Sequence, residues 1–254
     1  MPQTIAAGHA FEFQRIEGSE PVLVFLHEGL GSIRRWRDFP AEVAKATGCR
    51  ALVYDRYGYG NSDVLKEERV GMDFMHREAL VFLPEILLQL KIQNPVLIGH
   101  SDGASIALIH AGTHPVRGVA VMAPHVFVEE HGLKSIKTIH DTFETTGLPE
   151  RLGKYHRDAR KTFHLWADAW LDPAFRDWNI EEHLPGVRCP VLAIQGEEDE
   201  YGTMAQLDAI ARQVGGPCNF LKLPQCGHSP HKDQPEKVLN TLSSFIRKII
   251  GTNH

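Results

Sequence analysis

The chain has 254 residues, 43% of them apolar and 23% charged, the balance of a soluble globular protein with room for one large α/β domain and an insert. A net charge of −5 leaves no basic footprint for nucleic acid, and no run of about 18 apolar residues is present to span a membrane. Residues 1–10 lack the basic and apolar regions of a secretory leader, and Cys49, Cys189, Cys218 and Cys226 form no C-x-x-C pair, so a cytoplasmic setting with reduced thiols is expected.

Residues 10–16 alternate loosely and predict an early antiparallel strand. Residues 21–26 form a continuous apolar run, as in a central strand covered on both faces. A loop carrying His27, Glu28, Gly29 and Gly31 follows, then a helix over 36–46. A strand over 50–55 opens into a loop, and residues 73–90 have helical spacing with Pro84 placed to kink the helix. Residues 96–98 read as a buried strand that ends in Gly99-His100-Ser101-Asp102-Gly103, with a helix over 104–111 starting at once. Residues 118–122 read as one more short buried strand.

From 126 to 186 no strand is convincing. Phe163, Trp166 and Trp170 share a helical face by their i, i+3, i+7 spacing, suited to packing an insert on the main domain or to facing a substrate. The alternation resumes with a strand over 190–195, a helix over 203–213 and a strand over 218–223. A last helix opens near Asp233 with Pro235 in its first turn and an apolar face of Val238, Leu242, Phe245 and Ile249. Strands alternating with helices predict an α/β fold with a mostly parallel central sheet and right-handed crossovers. Residues 1–125 and 187–254 form its core, and 126–186 a helical cap.

The stretch around Ser101 is a G-x-S-x-G turn between a strand and a helix, the setting that pushes a serine hydroxyl clear of a sheet. Glycines two before and two after make room for neighbouring chain. A serine needs a base, and the base an orienting acid. Asp199 follows the 190–195 strand and His228 the 218–223 strand, at the sheet edge where such folds place their sites. The order Ser101, Asp199, His228 is the one this turn predicts. Glu197, Glu198 and Glu200 are rival acids, and Asp199 is preferred for its spacing from Gly196. As bases, His100, His125 and His231 rank below His228. Cys226, His228 and His231 lack a second ligand group, so no metal is expected. Two backbone N–H groups should face the developing oxyanion: that of Asp102, and that of Gly29 ahead of Glu28.

With these residues in place, the chain resembles α/β-hydrolase fold proteins over essentially its whole length. The run from Leu26 to Ser32 is similar to the family's His-Gly oxyanion loop. The run from Asp55 to Ser62 is similar to its D-x-R-G-x-G-x-S segment, with Tyr57 where arginine usually stands. Gly196-x-x-Asp199 and Gly227-His228 complete the pattern. The insert resembles the helical lid of the branch that holds small esterases, enol-lactonases and C–C bond hydrolases. Glu28 stands where the family usually has glycine, so its side chain should point away from the oxyanion or be paired. Ser101-Asp102-Gly103 resembles members that hydrolyse amino-acid esters, where the acid meets an amino group. The alternative for Asp102 is a cap on the helix it begins.

The resemblance implies a cofactor-free serine hydrolase acting on a small or medium ester or lactone through an acyl-enzyme. Trp166, Trp170 and His125 are the candidate substrate-binding residues, and a homodimer is compatible with this reading. C–C cleavage of a vinylogous diketone and a non-turnover ligand receptor on the same fold are the alternatives.

Overall fold

The computed structural model describes residues 1–251. Eight strands form one sheet: β1 (Gln3–Ala6), β2 (His9–Ile16), β3 (Ser19–Leu26), β4 (Cys49–Tyr54), β5 (Val96–His100), β6 (Gly118–Met122), β7 (Val191–Gly196) and β8 (Cys218–Leu223). Their spatial order is β1-β2-β4-β3-β5-β6-β7-β8. From β4 to β8 all neighbours are parallel, while β1–β2 and β2–β4 are antiparallel. β1 was not foreseen. Its four residues form a hairpin with β2, and only Ala6 among them is buried, too little apolar patterning to read in advance.

The uniform apolar character of β3, β5, β6 and β7 follows from helices on both faces. Helices α1 (Phe39–Thr47) and α9 (Pro235–Gly251) pack together on one face, where Val43, Leu242 and Ile246 meet Phe25 and Ile98. The other face carries α2 (Phe74–Arg77), α3 (Leu83–Gln89), α4 (Asp102–Ala111) and α8 (Ala205–Gln213). The helix expected over 36–46 divides: Ile33–Trp36 is a 3-10 turn, and α1 begins only after Arg37, whose φ of 53° breaks the chain's path.

Pro84 acts by a route other than a simple kink. Residues Glu78–Phe82 form a π turn joining α2 to α3, in which the Leu83 N–H reaches back five residues to the Glu78 carbonyl. The next N–H in that pattern would belong to Pro84, which has none, so the Ala79 carbonyl loses its helical donor. His110 of α4 supplies the replacement, its Nδ1–H donating to Ala79 O at 2.8 Å.

Between β6 and β7 lie α5 (Glu130–Thr142), α6 (Leu148–Gly153) and α7 (Ala159–Leu171), followed by 3-10 turns at Pro173–Asp177 and Glu181–Gly186. A Phe127–Asn179 bridge ties the two ends of this segment. Three bonds fix it to the loop after β4: Gly60 N–H to His156 Nδ1, Arg157 N–H to Gly60 O, and Thr162 Oγ1 to Gly58 O. Small, left-handed Gly58 and Gly60 leave those carbonyls accessible.

Candidate active site

The C-terminal ends of β3 to β8 share one edge of the sheet, and the order of strands reverses between β3 and β5. An open α/β sheet has its crevice at such a point. Ser101 stands there, directly after β5, with φ 54° and ψ −120°. A non-glycine residue held in that region costs on the order of 1–3 kcal/mol and persists only where surroundings enforce it. Close approach enforces it here. A Cβ on Gly99 would lie 2.2 Å from Gly103 O, and one on Gly103 would lie 2.0 Å from Leu26 O. The Ser101 N–H is held by Met122 O at 3.0 Å.

Ser101, His228 and Asp199 come together in one hydrogen-bonded chain. Ser101 Oγ is 2.9 Å from His228 Nε2, and His228 Nδ1 is 2.8 and 3.0 Å from the two Asp199 oxygens. Asp199 also accepts from the N–H groups of Tyr201 and Gly202, and from Gln195 Nε2 at 2.7 Å. Burial raises the Asp199 carboxyl, but the bond from His228, the charge of that ring and the Tyr201 N–H outweigh it and leave it below the usual value. A carboxylate held ionised against imidazole Nδ1 fixes the tautomer in which Nε2 can take a proton from Oγ.

The backbone at His228 is anchored on both sides. His100 Nε2 lies 2.7 Å from His228 O, Glu200 accepts the His228 N–H, and Asp233 accepts that of Gly227. Thus Glu200, a rival acid in the sequence, holds main chain. Gln195 is a polar residue that sequence reading passed over. Its signal was a lone amide at the end of an otherwise apolar buried strand.

Gly29, Ser101, His125, Trp166, Trp170 and His228 all line one cavity of about 230 Å³, which Leu133 and Ile136 of α5 help to roof. The aromatic stripe on α7 divides its labour. Phe163 is fully buried and stacks on Phe143 at 3.7 Å, while Trp166 and Trp170 reach the cavity. Trp166 also borders a smaller cavity of about 50 Å³ with Arg56, Tyr59 and Glu78. Burial, then the neighbouring His228, pushes His125 down to about 4, so it is neutral near pH 7.

Glu28 is paired, one of the two outcomes expected. Its carboxylate is 3.4 Å from Arg35 Nε, 3.5 Å from His100 Nδ1 and 3.6 Å from Lys232 Nζ. Burial alone would raise it, yet His100, Lys232 and Arg35 together hold it well below the usual range. Asp102 departs from both expectations. It begins α4 without a side-chain capping bond, and its carboxylate is buried against Arg56, with Oδ2 3.5 Å from Nη2. Burial pushes its pKa up, against the charge and hydrogen bond of Arg56 and the Trp170 indole. The Asp102 carboxylate is turned to Arg56 and does not line the Ser101 cavity. The Asp102 N–H belongs to the first helical residue, which has no intrahelical acceptor.

Among the described residues, two groups could hold a metal ion, His76 with Glu182 and His183, and His140 with His164 and Asp168. Neither includes Ser101, Asp199 or His228. Among the described residues no helix is long and apolar enough to cross a membrane, and all four cysteines are free.

Known proteins resemble this chain in sequence and in fold. The chain is 26% identical over 259 residues to the serine hydrolase BPHL of Mus musculus, covering 94% of this chain and 84% of that protein. It is 24% identical over 263 residues to 3-oxoadipate enol-lactonase 1 of Acinetobacter baylyi, covering 92% of each. A carboxylesterase structure from Nitrososphaera gargenis superposes with a TM-score of 0.79 at 18% identity, over 99% of this chain and 100% of that one. The model of the alpha/beta hydrolase family matches residues 23–241, from the first central strand into the last helix. A parallel sheet with its serine on the turn after β5 and a family match over that span lead to one conclusion: the chain belongs to the α/β-hydrolase family.

Proposed function

We propose that the protein is a serine hydrolase of small to medium carboxylic esters or lactones. The observation that carries this reading is the chain Ser101 Oγ–His228–Asp199 opening on a cavity of about 230 Å³. In this reading His228 Nε2 takes the Ser101 proton as Oγ attacks the ester carbonyl. Asp199 holds the Nδ1–H and stabilises the imidazolium. The N–H groups of Gly29 and Asp102 receive the oxyanion. His228 then protonates the leaving alcohol, and a water activated by the same nitrogen releases the acid and restores Ser101.

Residues 126–186 serve as the lid. Its apolar α5 residues and two tryptophans exclude bulk water and suit an acyl or alcohol group of modest size over a polymer. Asp102 supports no amine recognition here, because Arg56 occupies its carboxylate. The test is labelling with an alkyl fluorophosphonate followed by intact mass. The expected result is one adduct per chain on Ser101, lost in Ser101→Ala and strongly slowed in His228→Gln. A wild-type chain that stays unlabelled under conditions that modify serine hydrolases would overturn the proposal.

A further inference from the structure

Arg56 follows β4 and is only 2% exposed, yet it carries a guanidinium in between the Glu28 carbonyl and Asp102, the residue after Ser101. Its Nη2 donates to the Glu28 carbonyl at 2.9 Å and lies 3.5 Å from Asp102 Oδ2, with Cζ 4.4 Å over the Tyr59 ring. The Glu28 carbonyl and the Gly29 N–H are two ends of one planar trans peptide and point in opposite directions. Whatever grips that carbonyl therefore aims that N–H.

Three donors grip it. Besides Arg56, His27 Nδ1 lies 2.7 Å away and the Gly31 N–H donates at 2.9 Å. His27 is itself set by Arg56, whose backbone N–H donates to His27 Nε2 at 3.1 Å, leaving the proton on Nδ1. A cationic donor on a carbonyl also polarises its peptide and strengthens the N–H at the other end.

The second partner of Arg56 matters as much. Asp102 supplies the other oxyanion N–H, and its carboxylate is buried beside it. An uncompensated anion there would oppose negative charge developing on the substrate oxygen, and the guanidinium offsets it. The family segment carries its arginine one position later, where this chain has Tyr57. That side chain turns to Glu67 and the Lys66 N–H instead.

Resting on the hydrolase reading above, we propose that Arg56 is the positioning residue of the oxyanion hole, orienting the Gly29 donor through the Glu28 carbonyl and neutralising Asp102 beside the second donor. It touches no substrate and works through the two groups that do.

The test uses the full chain with a short p-nitrophenyl ester and a trifluoromethyl ketone, whose serine adduct carries a true oxyanion. Arg56→Met should lower kcat by ~10²-fold, the scale of one lost oxyanion donor, with KM changed less than about threefold. Affinity for the ketone should fall by a matching factor, a correlation that loosened packing does not produce. Arg56→Met with Asp102→Asn should regain activity over Arg56→Met alone, because the stranded anion is gone.

Arg56→Lys keeps the charge but its single ammonium cannot serve both partners. It should lose about tenfold in kcat and in ketone affinity, and it decides the matter if Arg56→Met does not fold. A folded Arg56→Lys with wild-type kcat and ketone affinity overturns the proposal, as does a kcat loss without a matching loss of ketone binding. If Ser101→Ala keeps wild-type turnover, the hydrolase reading itself fails. If Ser101→Ala is inactive and the Arg56 variants are normal, only this inference fails.

Discussion

Acid should destabilise this protein through histidines buried in neutral form, and His110→Asn isolates one of them. His110 is 2% exposed and remote from the Ser101 cavity lining. Burial pushes its pKa from 6.5 down to about 4, against the bond to Ala79 O and with the charge of His114 acting in the same direction as burial. Below pH 6.5 the unfolded chain binds a proton that the native state refuses. Stability from this group is thus intact above pH 6.5 and falls as pH drops, by about 1.4 kcal/mol per unit, to a total of about 3 kcal/mol near pH 4.

Asparagine keeps an N–H donor for the Ala79 carbonyl and does not titrate. Urea unfolding at pH 7.5, 5.5 and 4.5 gives the comparison. Any cost of the smaller side chain is the same at each pH and cancels. Relative to pH 7.5, the gap between wild type and His110→Asn should move in the variant's favour by about 1 kcal/mol at pH 5.5 and about 2–3 kcal/mol at pH 4.5. Parallel stability curves for the two proteins would show that His110 does not titrate on unfolding.

Asp199→Asn should leave the fold intact and lower kcat by about 10⁴-fold in steady-state ester hydrolysis, because an amide at this point no longer fixes the His228 tautomer. Activity within tenfold of wild type would remove Asp199 from its role. Gly29→Ala places a Cβ 2.2 Å from Trp166 Nε1, so the indole must move. The expected cost is about 1–3 kcal/mol in chemical denaturation, and adding Trp166→Leu should return most of it. Strictly additive effects would show that the two residues do not meet.

The sheet and the Ser101 turn were legible because each needs a local pattern. Central strands are apolar throughout, and the close approaches at Gly99 and Gly103 demand glycine in the sequence itself. Asp199 and His228 could be read from their places after strands. The pairings of Glu28, Asp102 and Arg56 could not, because they join residues from the ends of β3, β4 and β5 that only the folded sheet brings together. Asp102 shows the limit most plainly: as the first residue of α4 it looks like a cap or an acid for a substrate amine, and only the arrival of Arg56 decides otherwise. The π turn at Glu78–Phe82 was hidden for a related reason, since Pro84 signals a lost N–H but does not say that His110 takes over the freed carbonyl.

Ester hydrolysis by Ser101 in the capped cavity is the proposal on which the other roles rest. Hydrolysis of p-nitrophenyl esters from acetate to octanoate, wild type beside Ser101→Ala with equal folding checked by circular dichroism, tests it most directly. Turnover with an optimum at a short or medium acyl chain, abolished in the variant, is the expected result. Activity that survives in Ser101→Ala, or a wild-type chain that turns over none of the series, would contradict it.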